Sequence, residues 1–312
     1  MFMRLLIVLS ILGTLMIGSL FPAQLLAQEK PKEKTKSSKA DNSALQDAVV
    51  ETYKTIGDVS LKVFIFNPKD HKPGDRRPAI VFFFGGGWKA GDPKQFSEHC
   101  KYLADRGMVA MTADYRVESR QRAKVIECVA DAKSAIRWAR ANAERLGIDP
   151  EKIAAGGGSA GGHLAACTGG VPGFEGTDEP KISSRPNALV LFNPALVLDS
   201  VEGEEIIPQT KIDELRGLIG TEPKNVSPYH HAGQGAPPTI IFHGKADETV
   251  PYRTAEIFTQ RLTKAGSNCE LVGFESKTHG FFNFGRGDSS DYQATIQAMD
   301  NFLTKLGWIA PL

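Results

Sequence analysis

The residue best suited to nucleophilic chemistry is Ser159, held between glycines in Gly157-Gly158-Ser159-Ala160-Gly161, where the apolar run Ile153 to Gly157 gives way to a helix-forming segment. At such a strand-to-helix turn, a nucleophile elbow, the serine adopts a strained backbone that lifts its hydroxyl off the sheet. Gly157 and Gly161 leave the space that a side chain would fill. A serine hydroxyl is a weak nucleophile until an imidazole takes its proton and a carboxylate holds that imidazole in the right tautomer. Both partners lie downstream, each just past an apolar strand. Asp247 follows Thr239 to His243 and is the candidate acid, with Glu248 the substitute if the turn is rotated. His279 follows Glu270 to Phe274 and, of the seven histidines, is the only one beyond the last strand, which makes it the candidate base. His163 lies one helical turn past Ser159, points along the helix, and is read as packing. His99 and His230-His231 have no second ligand at metal-binding spacing, and no His-Glu-x-x-His or Cys-x-x-Cys occurs. Neither metal nor cofactor is expected.

A second glycine cluster supplies electrostatic stabilisation. Pro78 to Phe84 is continuously apolar, as a central parallel strand covered on both faces requires, and it empties into Gly85-Gly86-Gly87-Trp88. Attack by Ser159 on an acyl carbon creates an oxyanion, and each fixed backbone N–H that meets it contributes about 2.7 to 4 kcal/mol. The N–H groups of Gly86, Gly87 and Ala160 are the candidate oxyanion hole. Glycine-rich loops also cradle phosphates, but this spacing matches neither Gly-x-Gly-x-x-Gly nor Gly-x-x-x-x-Gly-Lys. Trp88 is a candidate for the wall of a substrate pocket, with core packing as the alternative.

The elements that must position these groups alternate along the chain. Strands are expected near Ser60 to Phe66, Ala79 to Phe84, Val109 to Asp114, Ile153 to Gly157, Ala188 to Asn193, Thr239 to His243 and Glu270 to Phe274. Helices are expected near Lys94 to Arg106, Ala123 to Leu146, Ala160 to Thr168, Tyr252 to Ala265 and Asp291 to Leu306. Such alternation implies an α/β fold, a mostly parallel sheet flanked by helices. Residues 194–237 exceed an ordinary connection and carry Ile212, Leu215, Leu218 and Ile219 on one side of a helix. They are read as a small cap beside the site, the alternative being a packed excursion with no substrate contact.

At 312 residues and 41% hydrophobic content the chain suits one well-buried domain. A net charge of +1, evenly spread beyond the first forty residues, suggests no nucleic-acid partner. Residues 1–27, with Arg4, an apolar stretch from Leu5 to Phe21 and a small residue at Ala27, read as a secretory signal, with an uncleaved membrane anchor as the alternative. Residues 28–48, rich in lysine between Lys30 and Lys39, read as a disordered tether, and residues 49–312 as the catalytic domain. Export allows disulfides, and Cys100, Cys128, Cys167 and Cys269 permit three complete pairings, among which spacing does not choose. Cys100 and Cys167 fall where buried free thiols are ordinary.

The segments Gly85-Gly86-Gly87-Trp88, Asp114-Tyr115-Arg116, Ala135-Ile136-Arg137-Trp138, Gly147-Ile148-Asp149-Pro150 and Gly158-Ser159-Ala160-Gly161-Gly162-His163-Leu164, with the Asp247 and His279 turns, resemble the HGGG-type α/β-hydrolase esterases related to hormone-sensitive lipase. Among these the chain is most similar to the bacterial acetyl and feruloyl carbohydrate esterases, over roughly Val49 to Leu306. The resemblance implies Ser159 as nucleophile, Asp247 and His279 as its partners, and the glycine loop with Ala160 as oxyanion hole. It departs at Phe84, where the family motif opens with histidine, so the loop must be held in another way. The expectation is a secreted or periplasmic serine esterase for short-chain or aromatic acyl esters, on small molecules or on polysaccharide. A prolyl-oligopeptidase-like serine peptidase, an arylformamidase-like amidase and a non-catalytic carbohydrate-binding relative are the alternatives.

Overall fold

The computed structural model describes residues 43–176 and 181–312. The signal, the anchor alternative and the lysine-rich part of the tether lie outside these residues. The described end of the 28–48 stretch is ordered: Ser43–Leu45 forms a 3-10 turn, and Leu45 and Ala48 pack against the core. Structure therefore begins earlier than Val49, because two apolar side chains there find a surface to cover.

Among the described residues the apolar runs assemble one eight-stranded sheet. Its strands are β1 (Val49–Ile56), β2 (Val59–Phe66), β3 (Arg77–Phe83), β4 (Val109–Ala113), β5 (Ile148–Gly158), β6 (Ala188–Phe192), β7 (Thr239–Gly244) and β8 (Cys269–Phe274), in the spatial order β1-β2-β4-β3-β5-β6-β7-β8. β1 pairs antiparallel with β2, and β2 with β4; every later pairing is parallel. The middle strands β3, β4, β6 and β7 are buried along nearly their whole length, which is why they read as unbroken apolar runs. β1 escapes the sequence reading for the opposite reason. As an edge strand it buries only Tyr53, so Val49-Val50-Glu51-Thr52-Tyr53-Lys54-Thr55-Ile56 has no apolar run to read.

Side chains alternate between two cores, one on each face of the sheet. Val81 and Phe83 point into the layer formed with α3 (Val125–Ala141), α4 (Ala160–Gly170) and α7 (Tyr252–Lys264). Ile80 and Phe82 point into the layer formed with α1 (Ser97–Asp105) and α8 (Ser290–Lys305). Expected helix ends shift where side chains cap the backbone. The Asp92 carboxylate accepts the Lys94 N–H at 2.8 Å, so Pro93–Phe96 is a separate 3-10 turn before α1. Asn142 caps α3 by donating to the Trp138 carbonyl at 2.8 Å, ending that helix well before Leu146. A single turn, α2 (Glu118–Gln121), has no counterpart among the expected helices.

Residues 194–237 form α5 (Gln209–Ile219), a 3-10 turn Pro223–Val226 and the short α6 (Pro228–His231). Ile212, Leu215 and Ile219 are buried and Leu218 packs beside them, the face expected from their spacing. Cys100, Cys128, Cys167 and Cys269 are all free thiols.

Candidate active site

β5 runs directly into α4, and Ser159 is the residue at the corner, with φ 54° and ψ −117°. Its N–H donates to the Phe192 carbonyl at 2.9 Å, and its carbonyl accepts the His163 N–H at 2.9 Å, so neighbouring elements grip the strained residue from both sides. The corner closes only because it lacks side chains. A Cβ on Gly157 would lie 2.5 Å from the Gly161 carbonyl carbon, and one on Gly161 would lie 2.0 Å from the Phe83 oxygen.

His279 and Asp247, from the turns after β8 and β7, meet at this corner. Ser159 Oγ lies 2.9 Å from His279 Nε2, and His279 Nδ1 lies 2.7 Å from Asp247 Oδ2. The carboxylate faces Nδ1, which therefore carries the ring proton and leaves Nε2 to accept from the serine hydroxyl. The other oxygen of Asp247 accepts the N–H groups of Thr249 and Val250, each at 2.9 Å. Burial alone would raise the Asp247 pKa; hydrogen bonds from His243, His279 and the Val250 N–H outweigh it and hold the carboxyl well below the usual carboxylate range. Glu248 does not take this place and instead lines the cavity beside the site.

Sequence reasoning misses His243. Its Nε2 lies 2.9 Å from the Val250 carbonyl and 3.3 Å from Asp247 Oδ2, so one N–H is shared between two acceptors. In the sequence the residue reads only as the end of a strand, and its four-residue separation from Asp247 carries no signal across a strand end.

The glycine loop is held without the family histidine. Phe84 is buried, stacks on the Tyr115 ring at 4.1 Å, and is met on another side by Gly91, where a Cβ would fall 2.3 Å from the Phe84 ring. The Tyr115 hydroxyl donates to the Phe84 carbonyl at 2.7 Å, and the Gly85 N–H donates to Gln95 Oε1 at 2.6 Å. Arg116, the next residue of the Asp114-Tyr115-Arg116 segment, anchors the turn below through Asp131 of α3, at 2.8 and 3.0 Å. No protein acceptor among the described residues meets the N–H groups of Gly86, Gly87 or Ala160. Of these, Gly87 and Ala160 line the same cavity as Ser159.

Trp88 is both buried and part of the cavity wall. Its Nε1 donates to His163 Nδ1 at 3.1 Å, and His163 Nε2 donates to the Val226 carbonyl at 2.7 Å. His163 therefore does more than pack, since it bridges the glycine loop to the cap. Burial lowers its pKa to about 4, so the ring is neutral and able to accept from Trp88 near pH 7. A cavity of about 520 Å³ opens at Ser159; Trp88 and Ala160 line it, and Val197, Leu198, Leu215 and Leu218 contribute apolar lining from the cap region. Residues 194–237 thus supply part of the cavity lining beside Ser159.

The BD-FAE family model matches residues 64–262, from β2 through α7, including the glycine loop, the elbow and Asp247. The chain belongs to the BD-FAE family. Sequence relatives of this BD-FAE chain include Esterase LipC of Mycobacterium tuberculosis, 29% identical over 67% of this chain and 54% of the relative. Another is isoprenylcysteine alpha-carbonyl methylesterase ICME of Arabidopsis thaliana, 27% identical over 65% of this chain and 50% of the relative. The chain spans about half the length of these curated relatives. Among solved structures, esterase 2 of the planctomycete Thermogutta terrifontis in its apo form is 56% identical, with a TM-score of 0.82 over 86% of this chain and 98% of that one. The same esterase has been solved with propionate bound, with a TM-score of 0.81 over 86% and 97% of the two chains. The BD-FAE chain has the α/β-hydrolase fold of these esterases. The resemblance to HGGG-type esterases holds at the level of that fold and family.

Proposed function

We propose that this protein is a serine carboxylesterase whose nucleophile is Ser159, with His279 as base and Asp247 as its orienting acid. The observation that carries the reading is the hydrogen-bonded run from Ser159 Oγ through His279 to Asp247, opening on a largely apolar cavity. Ser159 Oγ attacks the ester carbonyl while its proton passes to His279 Nε2, and the oxyanion is met by the N–H groups of Gly86, Gly87 and Ala160. The imidazolium then gives its proton to the departing alcohol, leaving an acyl-enzyme. Water, deprotonated by His279, attacks the acyl carbon and releases the acid. Nothing in these steps requires a metal or cofactor.

The substrates proposed are short-chain or aromatic acyl esters, in particular acetyl or feruloyl groups on carbohydrate. A cavity of about 520 Å³ suits a small acyl group, and the T. terrifontis esterase has been solved with propionate and with butyrate bound. The apolar N-terminal run supports action in a secreted or periplasmic setting, or anchorage to a membrane if that run is not cleaved. The same T. terrifontis esterase has also been solved phosphorylated by paraoxon. An organophosphonate probe followed by peptide mapping should accordingly label Ser159, and label on any other residue, or none, overturns the assignment. A panel of p-nitrophenyl esters, methyl ferulate, acetylated xylan and aminoacyl-p-nitroanilides, read against Ser159→Ala, then sets ester against amide turnover and one acyl group against another.

A further inference from the structure

The glycine loop and the histidine loop come from opposite ends of the chain, yet one run of amides joins them. The Gly85 N–H donates to Gln95 Oε1 at 2.6 Å. Gln95 Nε2 donates to Asn283 Oδ1 at 2.8 Å, across 188 residues of sequence. Asn283 Nδ2 donates to the Gly280 carbonyl at 2.8 Å, and the Gly280 N–H donates to Asn193 Oδ1 at 2.9 Å, just past β6. The direction is fixed at both ends. A backbone N–H can only donate and a backbone carbonyl can only accept, so both side-chain amides are locked in one orientation between Gly85 and Gly280. Gly280 follows His279 directly, and Gly85 precedes Gly86 and Gly87, the candidate oxyanion donors, of which Gly87 lines the cavity.

The loop's other anchors are the Phe84 ring stacked on Tyr115, the Trp88–His163 bond, and the Lys89 and Ala90 N–H groups on the Gly86 carbonyl at 3.1 and 3.2 Å, none of which reaches the histidine loop. Gly85, Gly86 and Gly87 carry no side chains, and Phe84 has no polar side-chain atom to replace the family histidine. Tyr115 holds the Phe84 carbonyl from one side only. The tie on the other side, to Gln95, also reaches the loop that carries the base.

We propose that Gln95 and Asn283 are positioning residues that hold the oxyanion donors and His279 at a fixed spacing around Ser159. The proposal rests on the serine-esterase reading above. Neither residue touches the reacting atoms. Their effect is on geometry, where a displacement of about 1 Å can cost on the order of a hundredfold in rate.

Gln95→Glu is the diagnostic variant because it preserves size and the acceptor for Gly85 but cannot donate to Asn283. Asn283 must then turn its nitrogen toward the introduced carboxylate and abandon Gly280. Asn283→Leu severs the same link from the other side. Each should lower kcat per phosphonate-titrated Ser159 by roughly ten- to a hundredfold with KM changed by less than about threefold, and the double variant should fall no more than about twofold below the weaker single variant. Asn283→Asp, which keeps the acceptor for Gln95, should lie between wild type and Asn283→Leu. Titration of Ser159 separates a folding defect from a positioning one, because kcat per titrated site counts folded enzyme alone, and thermal melting reports any loss of stability directly. Rates per titrated site within threefold of wild type in both single variants, or additive losses in the double, overturn the proposal while leaving the esterase reading intact. Wild-type protein that takes up no label at Ser159 overturns that reading and this proposal together.

Discussion

Two imidazoles near Ser159 differ in what their nitrogens face, and that difference predicts their phenotypes. His279 offers Nε2 to the hydroxyl, whereas both nitrogens of His163 are committed to Trp88 and Val226. His279→Ala should lose about 10⁴-fold or more in kcat/KM, measured on p-nitrophenyl acetate. The base must be neutral to accept a proton, so kcat/KM should fall as pH drops along one ionisation. Burial lowers His163 to about 4 and His99 to about 3, so neither charges above pH 5. Asp247, held well below the ordinary carboxylate value, stays ionised across the same range. Phe84 belongs to this scale too. Its ring anchors the loop by stacking, while the oxyanion would be met by backbone N–H groups indifferent to residue 84, so Phe84→His should change kcat by less than about a hundredfold.

At the scale of elements, α4 connects the elbow, the glycine loop and the cap. His163 projects from it to bridge Trp88 and Val226, and loss of that bridge should loosen the loop. His163→Ala should reduce kcat by about tenfold, while His163→Gln, able to accept from Trp88 and donate to Val226, should retain most activity. Equal rates for the two variants would reduce His163 to packing. Leu215 and Leu218 of α5 line the cavity from the cap region, so their side chains bound the room open to an acyl chain. Rates along a p-nitrophenyl series should peak between acetate and butyrate and fall steeply by decanoate. Leu218→Ala should move the peak toward longer acyl groups; an unchanged profile would show that another wall sets the limit.

For the molecule as a whole, His99 stores a sensitivity to acid. It is fully buried among Phe82, Phe96, Phe192, Phe282 and Tyr292, and neither ring nitrogen has a hydrogen-bond partner. Burial lowers its pKa to about 3 from 6.5, so below pH 6.5 the unfolded chain binds a proton that the folded one refuses. Stability from this site is therefore full above pH 6.5 and declines continuously as pH falls toward 3, by an amount of the order of several kcal/mol. Thermal melting of wild type between pH 7 and 4 should show this decline, and His99→Leu should flatten it. A parallel decline in the variant would place the sensitivity elsewhere, His163 being the next buried imidazole.

Elements buried on both faces were legible from the chain alone, because a strand with no solvent face must be apolar throughout, as in Ala79 to Phe83 and Ala188 to Phe192. The elbow was legible for a partly local reason: Gly157 and Gly161 flank Ser159 within five residues, and a Cβ on Gly157 would strike Gly161 across that one turn, whereas the clash that demands glycine at 161 is with the Phe83 oxygen of a neighbouring strand. The position of Ser159, Asp247 and His279, each just past a strand, followed from the rule that parallel strands present their sites at one edge, and their order matched that of α/β-hydrolase triads. Edge strand β1 was not legible, since half its residues face water, nor were helix ends decided by the Asp92 and Asn142 side chains. Only the tertiary structure could decide the contacts that bind distant segments, His163 to Trp88 and Val226, and Gln95 to Asn283. Hydrogen bonds of this kind depend on angstrom-scale distances between residues far apart in the chain, and neither periodicity nor spacing records those distances. The sequence by itself determined which chemistry these residues could perform; the packing of two layers onto one sheet decided which of them would meet.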